Sequence, residues 1–148
     1  MNLLLWRHAE AEDTWPDSER RLTERGEEHA RLVAGWIRKH VPGDLRVFSS
    51  PALRCRQTAE TLGCAVEVDQ GLDAGSDVAQ ILLAAGWNAE TPGTTVVVGH
   101  QPLLGQTAAF VLSGREIAWS VAKGAVWWLS VGKGGRVTLK ALIAPEFV

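Results

Sequence analysis

The chain has 148 residues, 46% of them hydrophobic, and carries a formal net charge of -2. That supplies core material for one domain, residues 1–148, and too little length for two. The charge balance offers no basic excess for nucleic acid, and no apolar run approaches the roughly 20 residues needed to cross a bilayer. No nucleic-acid or membrane partner is therefore expected, and the expected location is cytoplasmic.

The opening stretch, Asn2-Leu3-Leu4-Leu5-Trp6-Arg7-His8, predicts a strand buried on both faces that stops at an Arg-His pair. Such a strand delivers Arg7 and His8 to its carboxyl end, and the crevice outside those ends is where open α/β sheets bind ligands. An Arg beside a His suits a phosphoryl group. The guanidinium is a planar fork of donors for the oxygens, and a neutral imidazole is a nucleophile or proton carrier. The polar connection Ala9 to Leu22, punctuated by Trp15-Pro16, is longer than most βα loops and is a candidate rim or lid over a site.

Thr23 reads as a helix N-cap, with Glu24, Glu27 and Glu28 at the positive end and Arg38, Lys39 and His40 at the negative end. Ala30, Val33, Trp36 and Ile37 share one face, Val41-Pro42-Gly43 stops the helix, and His29 and His40 read as surface residues. Leu45 to Ser49 predicts a second strand. Ser50-Pro51 then reads as an N-cap and a first-position proline, followed by an apolar seam of Ala52, Cys55, Ala59 and Leu62. Arg54 and Arg56 lie off the seam on different sides. Side chains tilt toward a helix's N-terminus, so Arg54 is the better placed to reach an anion there.

Ala65 to Val68 predicts a third strand, Asp69 to Ser76 a turn region, and Asp77 to Ala85 a helix burying Val78, Ile81, Leu82 and Ala85 before Gly86. Thr94 to Gly99 is a β-branched buried strand that ends, like the first, on a histidine, His100. Gln101-Pro102 opens a helix from Leu103 to Leu112, closed by Ser113-Gly114. Ala125 to Val131 and Arg136 to Leu142 flank Gly132-Lys133-Gly134-Gly135 as a hairpin. In its second arm Val137, Leu139 and Ala141 alternate with Arg136, Thr138 and Lys140, so one face there is expected to be solvated. The whole is an α/β fold, a mostly parallel sheet finished by an antiparallel C-terminal hairpin.

Cys55 and Cys64, if one helix carried both, would fall on opposite sides of it, so they are expected to be unpaired. No Cys/His ligand spacing appears, and no metal is expected. Three connections share one grammar instead: a strand, a polar residue, a helix start. They carry Arg7-His8, Ser49-Ser50-Pro51 leading to Arg54, and His100-Gln101-Pro102. With parallel strands all three open on one edge of the sheet, and helix N-termini there favour an anion. Two arginines and two histidines in one crevice describe a pocket for a dianion.

Leu5-Trp6-Arg7-His8-Ala9, Leu22-Thr23-Glu24-Arg25-Gly26, Ser50-Pro51-Ala52-Leu53-Arg54-Cys55-Arg56-Gln57-Thr58-Ala59 and Val98-Gly99-His100-Gln101-Pro102 occur in the order and spacing of the histidine phosphatase superfamily. Over nearly its whole length the chain resembles that phosphoglycerate mutase-like family, and within it the short SixA-type phosphohistidine phosphatases. The resemblance implies a single-domain three-layer α/β sandwich, no cofactor or metal, and a covalent phosphohistidine intermediate. It makes His8 the nucleophile, Arg7 and Arg54 the phosphate clamp, and His100 the second histidine on the phosphoryl oxygens. It also implies an open crevice for a phosphorylated protein, such as a histidine phosphotransfer domain. The competing readings are a small-molecule phosphomonoesterase and a non-catalytic phosphoprotein-binding module.

Two departures stand out. Ala9 replaces the family's usual glycine, which is tolerable only if φ at that position is negative or the strain is accommodated. The larger relatives carry a Glu general acid in an insertion after the third strand, whereas this chain has only Asp69 to Gly75 there, leaving Asp73 or Glu10 as the available proton donors. Whether Trp119, Trp127 and Trp128 belong to the core or the surface is open at this level.

Overall fold

The computed structural model describes residues 1–148. Six strands form one mixed sheet: β1 (Asn2–Arg7), β2 (Leu45–Ser49), β3 (Val66–Val68), β4 (Thr94–Gly99), β5 (Val126–Val131) and β6 (Val137–Ile143). Their lateral order is β3-β2-β4-β1-β5-β6. The first four in that order run parallel, and β5 and β6 pair antiparallel as the C-terminal hairpin. Helices α1 (Glu24–His40), α2 (Leu53–Glu60), α3 (Val78–Ala85) and α4 (Leu103–Ser113) cover the two faces.

Strand β1 shows how the sandwich arises from sequence. Its successive apolar residues point to opposite faces. Leu4 and Trp6 enter the core shared with Ala30, Val33 and Ile37 of α1 and Cys55 and Ala59 of α2. Leu3 and Leu5 enter the other, with Val78 and Ile81 of α3 and Leu104 and Ala108 of α4. The indole of Trp6 is fully buried, and its Nε1–H donates to the Gly124 carbonyl at 2.8 Å. The tryptophan question divides: Trp127 is buried with Trp119 stacked on it, and Trp128 is half-buried with its Nε1–H on Asn2.

The caps explain where the helices start and stop. Thr23 Oγ1 accepts from the Gly26 N–H at 2.9 Å, and Asp77 Oδ1 accepts from the Gln80 N–H at 2.9 Å. Gly86 closes α3 with φ of 62°, a left-handed geometry that glycine adopts without penalty. Gly26 answers a different need. A Cβ there would run into the carbonyl oxygen of Glu10, so only glycine lets α1 approach the β1–α1 loop.

Two expectations need correction. Helix α2 begins at Leu53 with Ala52 as its N-cap, not at Ser50-Pro51. The Ser50 hydroxyl accepts weakly from the Ala52 N–H, at 3.3 Å, while its close partner is a histidine across the sheet edge. In β6 the simple alternation fails at a bulge. Trp128 pairs with Ala141 but Leu129 pairs with Leu139, so Lys140 is extra and Leu139 and Ala141 face opposite sides.

Candidate active site

The carboxyl ends of β1, β2 and β4 lie side by side, with Arg7 in register with Gly99 and Ser49 with Val98. The residues that leave those ends therefore meet. The His8 N–H donates to the Gly99 carbonyl and the Ser50 N–H to the Val98 carbonyl, so the sheet ladder itself places His8, Ser50 and His100 around one point. Arg54 enters from the first turn of α2. His8, Arg54 and His100 are all buried, at 9%, 5% and 4% exposure, and the two imidazoles stand 5.5 Å apart, edge to face. The structure thus brings together Arg7, His8, Arg54 and His100, and leaves out Arg56, whose Nε–H bonds back to the Pro51 carbonyl.

Hydrogen bonds fix both tautomers. His8 Nδ1 lies 2.8 Å from the Ala9 carbonyl oxygen, which can only accept, so Nδ1 carries the proton and Nε2 keeps its lone pair. That lone pair faces the Arg54 Nε–H at 3.3 Å. Arg54 Nη2 donates to His100 Nδ1 at 3.3 Å, and His100 Nε2–H then donates to Ser50 Oγ at 2.7 Å. Arg7 donates from Nη1 to the Val121 carbonyl, and its Nε–H is buried without a protein acceptor.

Burial, more than charge, sets the protonation states. Removal from water pushes the His8 pKa down to about 3, with His100, Arg54 and Arg7 adding repulsion against the Ala9 bond that favours the cation. His100 falls to about 4, again chiefly by burial and then by Arg54. The Cys55 thiol, on the apolar seam of α2 and 3.6 Å from His100 Nε2, is pushed up to about 12 by burial. Both imidazoles are therefore neutral at physiological pH, and the guanidiniums carry the positive charge.

Ala9 fits because no residue other than glycine adopts a positive φ in this chain, so position 9 has no need of glycine's freedom. Its N–H donates to Thr58 Oγ1 at 3.1 Å, and that hydroxyl donates to the Arg54 carbonyl at 2.7 Å. Thr58 thus ties the peptide beside His8 to the helix that carries Arg54. Gln57 does the same for the far end of the β1–α1 loop, its Oε1 accepting from the Leu22 N–H. Of the two proton donors considered from sequence, Glu10 is turned away, accepting from Thr23 Oγ1 at 2.9 Å with Arg25 at 4.0 Å. Asp73 caps the Ala74 N–H, and its charge is felt by His100.

Two residues at the site were not singled out from the sequence: Ser50, read as a helix cap, and Asp17, which lies within the connection read as a candidate rim or lid. Asp17 reaches Arg54 twice, accepting from Nη1 at its carbonyl (2.9 Å) and from Nη2 at Oδ2 (3.2 Å). The Ala9–Leu22 connection is therefore the rim of the pocket. The larger surface hollows lie elsewhere, beside α3 and along the β2–β3 edge.

A mixed, mostly parallel α/β sheet gathers two neutral histidines and two arginines at its strand ends, a group whose chemistry suits a phosphoryl group. Residues 3–75 match the family model of the histidine phosphatase superfamily, branch 1. The chain is 33% identical over 124 residues to the phosphohistidine phosphatase SixA of Escherichia coli, spanning 78% of this chain and 76% of that one. It is 37% identical over 127 residues to an uncharacterised protein of Picosynechococcus, spanning 78% and 75%. Among solved structures, a protein histidine phosphatase SixA complexed with tungstate superposes with a TM-score of 0.85 at 28% identity, covering 99% of this chain and 98% of that one. The chain belongs to branch 1 of the histidine phosphatase superfamily and is similar to its SixA members.

Proposed function

We infer that the protein is a phosphatase that passes a phosphoryl group through His8 as a covalent phosphohistidine, and that its substrate is a phosphohistidine on another protein. The observation that carries this reading is the His8 tautomer: Nδ1–H is spent on the Ala9 carbonyl, and the Nε2 lone pair is unprotonated and faces the Arg54 Nε–H, with the His100 ring 5.5 Å from that of His8. In the first step Nε2 attacks phosphorus in line, a new N–P bond forms, and the bond to the leaving group breaks. Arg7, Arg54 and His100 hold the remaining oxygens. Water then attacks the same phosphorus, inorganic phosphate leaves, and His8 is regenerated.

A leaving imidazole needs less help from an acid than an alkoxide does. That matches a site in which Glu10 is committed elsewhere and the segment between β3 and α3 is short. The similarity to phosphohistidine phosphatases supports the same substrate class. On this reading a phosphorylated histidine phosphotransfer domain is a candidate protein substrate. The charge of Asp73 near His100 favours a second reading, a small-molecule phosphomonoesterase with Asp73 as the acid.

The test is to trap radiolabelled phosphoenzyme and to compare turnover of a phosphohistidine protein with that of a panel of sugar phosphates. Labelling at His8 with preference for the protein substrate is expected. Preference for the sugar phosphates, lost in Asp73→Asn, would establish the second reading. Binding without any labelling would make the chain a phosphoprotein-binding module.

A further inference from the structure

A guanidinium presents two double-donor edges: the side edge, Nε with Nη2, and the end edge, Nη1 with Nη2. In Arg54 they have different partners. The side edge faces inward, with Nε on His8 Nε2 and Nη2 on His100 Nδ1. The end edge faces outward and is gripped by Asp17, whose carbonyl takes Nη1 and whose Oδ2 takes Nη2. Asp17 is held in turn: Arg20 Nη1 donates to its Oδ1 at 3.2 Å while Arg20 Nε donates to the Glu12 carbonyl at 2.7 Å.

The loop that carries Asp17 is an ordered brace. Ala11 bridges Leu22, the Glu12 N–H bonds the Arg21 carbonyl, and Gln57 of α2 holds the Leu22 N–H. Arg20, Asp17 and Arg54 form a line from the loop's far side into the pocket. The Asp17 side chain is 61% exposed, so solvent screens its charge, and its fixed geometry is what distinguishes it.

We propose that Asp17 is the positioning residue of the phosphate clamp. By taking the outer edge of the Arg54 guanidinium it leaves the inner edge presented to the phosphoryl group between His8 and His100. The proposal rests on the phosphatase reading of this pocket. The carboxylate takes no part in bond making; it acts through the orientation of Arg54.

The experiment is a double-mutant cycle on the full chain with Asp17→Ala, Asp17→Asn, Arg54→Ala and Asp17→Ala/Arg54→Ala. Two readouts are used: tungstate binding by calorimetry, and turnover of phosphoramidate per trappable phosphoenzyme. Asp17→Ala should weaken tungstate and slow turnover by about tenfold to a hundredfold, the scale set by a misplaced catalytic group. Asp17→Asn should recover most of the loss, since its amide oxygen still accepts from Nη2. With Arg54 already removed, Asp17→Ala should cause no further loss.

A role confined to loop stability would lower the active fraction and leave the per-site rate unchanged, which would overturn the proposal. Equal losses with and without Arg54 would do the same. Tighter tungstate binding by Asp17→Ala would show instead that the carboxylate competes with the anion. If phosphoramidate is not turned over at all, the phosphatase reading fails, and the tungstate cycle still decides the role of Asp17.

Discussion

As the proposed nucleophile, His8 must be unprotonated to attack, and the guanidinium charges that would bind a dianion reinforce burial in keeping it so. Burial holds its pKa at about 3, and the Ala9 carbonyl, by taking the Nδ1 proton in a hydrogen bond, leaves Nε2 as the free nitrogen. A phosphate dianion between Arg7, His8 and Arg54 offsets the guanidinium charges and favours imidazolium. Hence NMR titration should show the His8 pKa moving upward from its free value when phosphate or tungstate saturates the site, and a value unmoved by either anion would place the anion elsewhere. His8→Ala should abolish phosphoenzyme labelling and turnover with an unchanged circular dichroism spectrum. Arg54→Ala should cost about 3 kcal/mol of transition-state stabilisation, on the order of a hundredfold in kcat, by analogy with loss of one preorganised donor. Arg56→Ala should cost far less in the same assay, because its Nε–H serves the Pro51 carbonyl outside the crevice.

At the scale of elements, α2 organises the site although it is only eight residues long. One face packs Cys55 and Ala59 into the core, and its first turn sends Arg54 into the pocket. Its Gln57 and Thr58 side chains hold both ends of the β1–α1 loop. Thr58→Val keeps the shape and removes the acceptor of the Ala9 N–H. Leaving that buried donor unpaired should destabilise the fold by about 1–3 kcal/mol, measured as a lower denaturant midpoint at unchanged slope. Gly26→Ala tests the other contact of the loop. The new Cβ meets the Glu10 carbonyl, so a loss of about 1–3 kcal/mol from overpacking is expected in the same measurement.

For the molecule as a whole, two depressed histidines make stability pH-dependent. The unfolded chain takes up protons on these residues near 6.5, while the folded chain resists until about 4 at His100 and about 3 at His8. Between those limits the unfolded state binds more protons, so stability rises with pH and is lost as pH falls from about 6.5 toward 4. Each histidine contributes up to about 1.4 kcal/mol per pH unit in that window. Urea titrations across it should show this decline, and His100→Gln should flatten it. Saturating phosphate should also flatten it, because the anion stabilises the protonated folded form.

The pattern of apolar residues already determined the layers. The runs Leu3–Trp6 and Thr94–Val98 are continuous because both faces of their strands are covered, and the seam Ala52, Cys55, Ala59, Leu62 recurs at helical spacing because one face of α2 is buried. The same local logic placed Arg7, His8 and His100 at strand ends and ranked Arg54 above Arg56. What a linear pattern cannot carry is the lateral order of strands. Only the placement of β4 between β1 and β2 brings Ser50 against His100 and turns an apparent cap into a pocket residue. Only the packing of the β1–α1 loop on α2 brings Asp17 to Arg54, across 37 positions of chain. The bulge at Lys140 belongs to the same class, since register is a property of two paired strands and not of either one alone.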